Sequence, residues 1–275
     1  MSLSPHSFDY IRSLLHERTG NMLDDSKEYL VVQRLDALLR REALESIDEL
    51  ITRIRPTPGC RLHDAIAESL VTHETSFFRD PHYFEQIREN VIPRIVELRR
   101  DQRSLRIWCA ACSSGQEPFS IAMLLREYFA LSLRDWKIQL LASDFSRPII
   151  CRARSGRFTD IEIDRGLPAP LKHQYFTRDA SHWQIDARLR EMVEFREINL
   201  IQPSLELPRM DLILLRNVLI YMDEEPRHKI LRTIRRLLHP GGYVVLGGPE
   251  TTHKLDPSGS FRRVEFGRMS CLQIE

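Results

Sequence analysis

From Leu105 onward, short apolar runs of strand length alternate with segments of helical period, and this alternation constrains the fold more than any other feature. LRIWCAA reads as a strand, PFSIAMLLREYFA as a helix and WKIQLLASD as a strand. DLILLRNVLIY begins as a strand. DEEPRHKILRTIRRLLHPGG reads as a helix with a Pro-Gly-Gly stop, YVVLGG as a strand, and RMSCLQIE as a last strand. Strands alternating with helices imply a parallel sheet covered on both faces. Between 156 and 198 the pattern weakens into short, polar, turn-rich pieces, which reads as an insertion.

The first 79 residues read as helix throughout. SFDYIRSLLHERTG sets Phe8, Ile11, Leu14 and Leu15 at helical spacing and stops at Gly20, and DDSKEYLVVQRLDALLRRE places Val31, Leu35 and Leu38 on one face. Lys27, Arg34 and Arg41 form a basic flank of that face. It is either a solvated edge or a docking face for an acidic partner. SIDELITRIRPTPG and CRLHDAIAESLVTHETSFFRD supply two further helices. DPHYFEQIRENVIPRIVELRRD then opens the second region, with Asp80 as its expected N-cap and Pro81 in its first turn. The organisation expected is a helical domain over 1–79 and an α/β domain over 80–275.

Composition narrows the function classes. A formal charge of +1 over 275 residues and the lack of an aromatic-basic stripe argue against a nucleic-acid protein. The N-terminus has no signal-peptide pattern, and the most apolar run is broken by Arg216 and Asn217, which argues against membrane insertion. Five cysteines, an odd count spread along the chain, do not make a disulfide framework. The expected setting is the cytoplasm.

RIWCAACSSGQEP contains a CxxC, Cys109 and Cys112. Structural zinc needs four ligands, and Cys60, Cys151 and Cys271 are isolated from this pair, so no metal is expected. A redox pair would open a helix, whereas this one starts inside a strand. Two small buried thiols at a strand end is the better reading. The small-residue loop that follows suits close approach of a ligand at the carboxyl end of a strand. It has neither GxxxxGK[ST] nor GxGxxG, which disfavours a pyrophosphate ligand and a nicotinamide oxidoreductase. Glu117 lies at the start of the next helix, and Asp144 ends the next strand, where nucleoside-binding sheets hold ribose hydroxyls.

Taken in order, THETSFFRD, RIWCAACSSGQEPFSIAMLL, LLASDFS, ARSGRF, FREINL, DLILLRNVLIYMDEEPRHKIL and LLHPGGYVVLGGPE resemble the chemotaxis receptor methyltransferases (CheR) over nearly the whole chain. The resemblance implies a Rossmann-like α/β sheet that uses S-adenosylmethionine, with a small helical N-terminal domain and a small β-subdomain at about 156–198. It implies transfer of methyl groups to glutamates on the cytoplasmic helices of chemoreceptors, by a monomer. Position by position it implies cofactor contacts at His73, Thr75, Arg79, Glu117, Asp144, Asn199, Leu200, Arg216 and Asn217. It also implies that Arg79, Arg216 and Tyr221 surround the reacting groups. A surface arginine and a packed aromatic are the plain alternatives for Arg79 and Tyr221. Polar Arg216 and Asn217 inside an apolar run need partners if buried.

The chain departs from the family pattern at His73, where relatives usually carry asparagine, at Gln116, where they carry an acid, and at GGPE, which replaces a GHSE-like turn near Glu250. YFTRDASHWQIDARL is short and lacks the glycine of the hairpin loop with which some relatives dock a receptor's C-terminal peptide. Independence from such a tail peptide is therefore expected. The reaction expected is an in-line attack of a glutamate oxygen on the sulfonium methyl, releasing S-adenosylhomocysteine. The alternatives are an S-adenosylmethionine-binding signalling scaffold and a methyltransferase acting on another protein.

Overall fold

The computed structural model describes residues 3–202, 206–250 and 259–274. The chain divides into two compact units, residues 1–72 with 221–227, and residues 73–220 with 228–275.

Among the described residues, the first unit includes the helices α1 (Pro5–Thr19), α2 (Glu28–Glu42), α3 (Ile47–Ile54) and α4 (Arg61–Leu70). The apolar spacing read from the sequence becomes its core: Ile11, Val31, Leu35, Leu39, Ile47, Leu50 and Ile66 are fully buried. Ser4 caps α1, its hydroxyl accepting from Ser7 N at 3.2 Å, and Ser46 caps α3, accepting from Glu49 N at 3.1 Å. The basic flank of α2 is partly consumed inside this unit. Arg34 donates to the carbonyl of Leu70 and to Thr72 Oγ1, satisfying the end of α4, and Arg41 pairs with Glu42. Lys27 remains exposed.

The second unit is built on a seven-stranded sheet. Its strands are β1 (Ser104–Ala110), β2 (Lys137–Asp144), β6 (Val193–Glu197), β7 (Met210–Leu215), β8 (Leu238–Leu246), β9 (Arg262–Phe266) and β10 (Met269–Gln273). Their order is β6-β2-β1-β7-β8-β10-β9, parallel from β6 to β8, with β10 antiparallel to both β8 and β9. All six residues of β7 are buried, as a strand covered on both faces requires. One of them is Asp211. Its Oδ1 accepts from Arg99 Nε at 2.7 Å and its Oδ2 from Arg106 N at 2.8 Å, so the charge is paired as well as buried. Trp108, also fully buried, donates its indole N–H to Ser143 Oγ at 2.9 Å, tying β1 to β2.

The helical run from Pro81 to Leu98 contains a π turn at Ile87–Val91. Pro93 explains it, because proline brings no N–H to the i→i−4 ladder and the backbone widens one turn before it. HPGG, expected as a helix stop, enters β8 as an irregularity: Met210 pairs with Leu238, yet Leu212 pairs with Tyr243. Gly242 permits this, since a Cβ there would stand 2.9 Å from the carbonyl oxygens of both Asp211 and His239.

The stretch 156–198 holds more than an insertion, because β6 within it is the outer strand of the main sheet. Ahead of β6 lies a three-stranded sheet of β3 (Arg157–Phe158), β4 (Phe176–Asp179) and β5 (His182–Ile185), in the order β3-β5-β4. Asp179 pairs with His182, so the β4–β5 turn consists of Ala180 and Ser181 alone, with Ala180 at φ 49°. Phe77 fastens this small sheet, meeting Phe158 edge-on at 5.0 Å and Phe176 at 5.5 Å between ring centroids. Among the described residues no helix is long and apolar enough to cross a membrane.

Candidate functional site

Strand order reverses between β1 and β7, which opens a crevice at their carboxyl ends. The loop after β1 lines it. Ala111, Ser113 and Gly115 adopt φ of 59°, 50° and 96°, so the backbone coils tightly before the helix Gln116–Phe129. Asp144, at the end of β2, accepts from Ser113 N at 3.0 Å and Ser146 N at 3.2 Å. Burial pushes its carboxyl up, and the largest opposing influence is the charge of His73. His73 stacks on Phe145 at 6.2 Å, and its carbonyl accepts from Ser113 Oγ at 2.9 Å, which joins the THETSFFRD segment to the loop. Ile198 N donates to Asp144 O at 2.9 Å, bringing Asn199 and buried Leu200 beside this strand end. Asn199 itself accepts from Ile201 N at 3.2 Å.

Arg216 directly follows β7, and its side chain is 2% exposed. It donates to Glu117 Oε2 at 3.1 Å, Asp80 Oδ2 at 2.7 Å and Arg79 O at 2.8 Å, and it lies over the rings of Tyr83 at 4.8 Å and Phe84 at 5.7 Å. Burial pushes the Glu117 carboxyl up, while Arg216 and, more weakly, Arg79 draw it down. Asp80 holds the N-cap position expected of it, but its side chain makes no capping bond and is turned to Arg216. Arg79 is partly exposed, with Nη1 donating to Glu74 O at 3.1 Å. Thr75 lies in the same segment, which is fixed to the helix by Phe78 N donating to Ser120 Oγ at 3.0 Å.

The sequence-predicted residues thus converge in part. His73, Glu117, Asp144, Asn199, Leu200, Arg216 and Asn217 lie around the ends of β1, β2, β6 and β7, with Thr75 and Arg79 in the segment attached there. Tyr221 falls in the helical unit, where its carbonyl accepts from Met22 N at 2.8 Å. Three contributors escaped the sequence reading. Asp80 was read only as a cap, the ring pair Tyr83 and Phe84 was not singled out, and Glu250 entered only as part of an altered turn. The usable signal was Arg216 itself, since a buried guanidinium needs acceptors and a ring surface, and DPHYF supplies both.

Burial pushes both CxxC thiols well up, reinforced by Glu117 at Cys109 and by Asp144 at Cys112. Thiols so placed stay protonated and line the strand end. Gln116 is 1% exposed and accepts from Ser114 Oγ at 2.9 Å, a position where a neutral side chain adds no further buried charge.

Asn217 Oδ1 and Arg216 Nε are buried without a partner. An unsatisfied acceptor in the loop after β7, together with the carboxylates Glu117 and Asp144 at the neighbouring strand ends, suits a ligand carrying an ammonium group and hydroxyls, as S-adenosylmethionine does. The residues present fit that cofactor.

The comparisons with known proteins agree. The family model of the CheR methyltransferase SAM binding domain matches residues 73–265, and that of the CheR methyltransferase all-alpha domain matches residues 6–63. Chemotaxis protein methyltransferase 1 of Pseudomonas aeruginosa is 35% identical over 258 residues, 93% of each chain. Chemotaxis protein methyltransferase Cher2 of Pseudomonas putida is also 35% identical, over 93% of this chain and 94% of its own. The chemotaxis protein methyltransferase of Borreliella burgdorferi is 30% identical over 86% of this chain and 85% of its own. With both domain models matched in order and relatives aligned over 86–93% of the chain, the chain belongs to the CheR family of S-adenosylmethionine-dependent chemotaxis methyltransferases.

Proposed function

We propose that this chain transfers methyl groups to glutamate side chains on the cytoplasmic helices of chemoreceptors, forming methyl esters, and does so without a receptor tail peptide. The observation that carries this reading is the character of the strand-end cluster. It offers carboxylates, an amide and arginines, with no nucleophile–base pair among the described site residues. Such a site suits an acceptor that is already anionic, and an exposed glutamate, with a pKa of about 4.3, is ionised at neutral pH. Family membership supports the same reaction.

Bound S-adenosylmethionine supplies the electrophilic methyl group. Glu117, Asp144 and Asn217 would hold its amino-acid and ribose parts, and Asn199 and Leu200 would meet its base. Arg216 acts as a support, since its guanidinium is committed to Glu117, Asp80 and the carbonyl of Arg79. Arg79, partly exposed, would meet the substrate carboxylate and orient one oxygen for attack. A permanent bidentate grip would blunt that oxygen, so Arg79 positions the carboxylate without locking it. For Tyr221 the support is the family resemblance.

The deciding experiment is transfer of labelled methyl from S-adenosylmethionine to a panel of chemoreceptor cytoplasmic fragments. Alkali-labile counts released as methanol are expected. Absence of incorporation while S-adenosylhomocysteine still binds would overturn the assignment in favour of a scaffold or another protein substrate. The tail-independence rests on the two-residue β4–β5 turn, which offers no loop to grip a peptide. Isothermal calorimetry with receptor C-terminal peptides is expected to give no heat of binding at micromolar concentration, and micromolar affinity would contradict the claim.

A further inference from the structure

Glu250 is 2% exposed and has no cation bound to it among the described residues. Its carboxylate is instead surrounded by backbone. Oε2 accepts from Asn217 N at 2.7 Å and Gly247 N at 2.7 Å. Oε1 accepts from Val218 N at 2.7 Å, Leu219 N at 2.6 Å and Ile220 N at 3.3 Å. Four consecutive amides, 217 to 220, thus converge on one carboxylate, forming an anion nest filled by the protein's own side chain. The loop needs it. Asn217 has φ 59°, a conformation costly for a residue with a Cβ, and the amides of residues 217 to 220 find their acceptor in Glu250.

Gly247 makes the arrangement possible. A Cβ at that position would stand 2.8 Å from Glu250 Oε2, 2.8 Å from Asn217 Nδ2 and 2.9 Å from Asn217 N. Even alanine would displace the carboxylate, the Asn217 side chain, or both. The same loop begins with Arg216, so the orientation Glu250 imposes on residue 217 also limits where the guanidinium that holds Glu117 can stand.

We propose that Glu250 is a positioning residue for methyl transfer, fixing the 216–220 loop so that Asn217 and Arg216 are preset for the methyl donor. This deepens the proposed function and rests on its reading of Asn217 and Arg216 as donor-site residues. Two variants test it. Glu250→Gln keeps the shape but turns an NH2 toward amides that need an acceptor. Gly247→Ala keeps the charge but crowds it.

For each variant, binding sites are counted by titration with S-adenosylhomocysteine, and kcat is measured per site at saturating S-adenosylmethionine. The expected result is a kcat per site lower by roughly tenfold or more, because small displacements of reacting groups are costly. Weaker S-adenosylhomocysteine affinity is expected in both. The double variant is expected to be no worse than the poorer single one, as two changes at one contact do not add. A fall in melting temperature with kcat per site and affinity unchanged would overturn the proposal and leave Glu250 a purely structural residue. Multiplying losses in the double variant would also overturn it. S-adenosylhomocysteine affinity is independent of the methyl acceptor, so it reads the loop even if wild type fails to esterify receptor fragments. That failure would count against the proposed function alone.

Discussion

Arg79→Ala is expected to lower kcat by about a hundredfold or more, while the dissociation constant for S-adenosylhomocysteine changes by only a few-fold. The magnitude follows from the loss of a preorganised cationic donor at a reacting centre. The asymmetry follows from where the two arginines stand. Arg216 is enclosed and bonded to Glu117, Asp80 and a main-chain carbonyl, so it already has its partners. Arg79 is partly exposed, with one main-chain hydrogen bond from its guanidinium to Glu74. Its charge reaches Glu117 only as a lesser influence. Removing it should therefore leave the donor site assembled and take away the group that aligns the acceptor. Steady-state methyl transfer and calorimetric titration separate the two effects. Equal losses in turnover and affinity would reassign Arg79 to cofactor binding.

Arg216→Leu is expected to act first on stability. It removes the partner of two carboxylates at once, one of them, Glu117, with a side chain only 13% exposed. Breaking a buried pair by deleting one member costs about 3–5 kcal/mol. The loss should show as a large drop in denaturant midpoint, with S-adenosylhomocysteine binding weakened as well. The penalty should also depend on pH. In the wild type, burial already holds the Glu117 carboxyl above its ordinary value, with Arg216 opposing the rise. Without Arg216 the rise is larger. A carboxyl whose pKa is higher folded than unfolded binds more protons in the folded state. Stability is then greatest below the ordinary carboxyl range and is lost as pH rises through the folded value. The variant should therefore regain part of its deficit as pH is lowered from neutrality toward the carboxyl range, measured against wild type at each pH. A deficit constant with pH would mean that Glu117 is not the group left exposed to the cost. Parallel measurement of Asp80→Asn, whose side chain is 41% exposed, gauges the lesser partner.

Much of this was legible because apolar periodicity is a local property. α1 and α2 follow from the spacing of Ile11, Leu15, Val31 and Leu35, and β7 from an unbroken apolar run. The candidate site was legible at Glu117 and Asp144, whose positions after strands are dictated by the chain itself. What stayed hidden depended on distant neighbours. Nothing local distinguishes Asp80 as a cap from Asp80 as a partner of Arg216, because the two are separated by 136 residues and meet only once the strand order is set. β6 was absorbed into an apparent insertion because Val193–Glu197 has the alternating pattern of a sheet edge, buried only at Val193 and Phe195. Glu250 was invisible for the same reason as Asp80, since its partners are backbone amides about thirty residues away and backbone leaves no mark in sequence.

If the chain esterifies receptors without a tail peptide, as proposed, the bare Ala180–Ser181 turn bears on how adaptation would be shared among them. An enzyme leashed to one receptor works on its neighbours at an effective concentration of about millimolar, whatever its abundance. An enzyme with no leash meets each glutamate from bulk solution. Its rate on each receptor would then rise and fall with enzyme copy number and with the fit of that receptor's own helices. Scarce receptors would gain nothing from standing beside abundant ones.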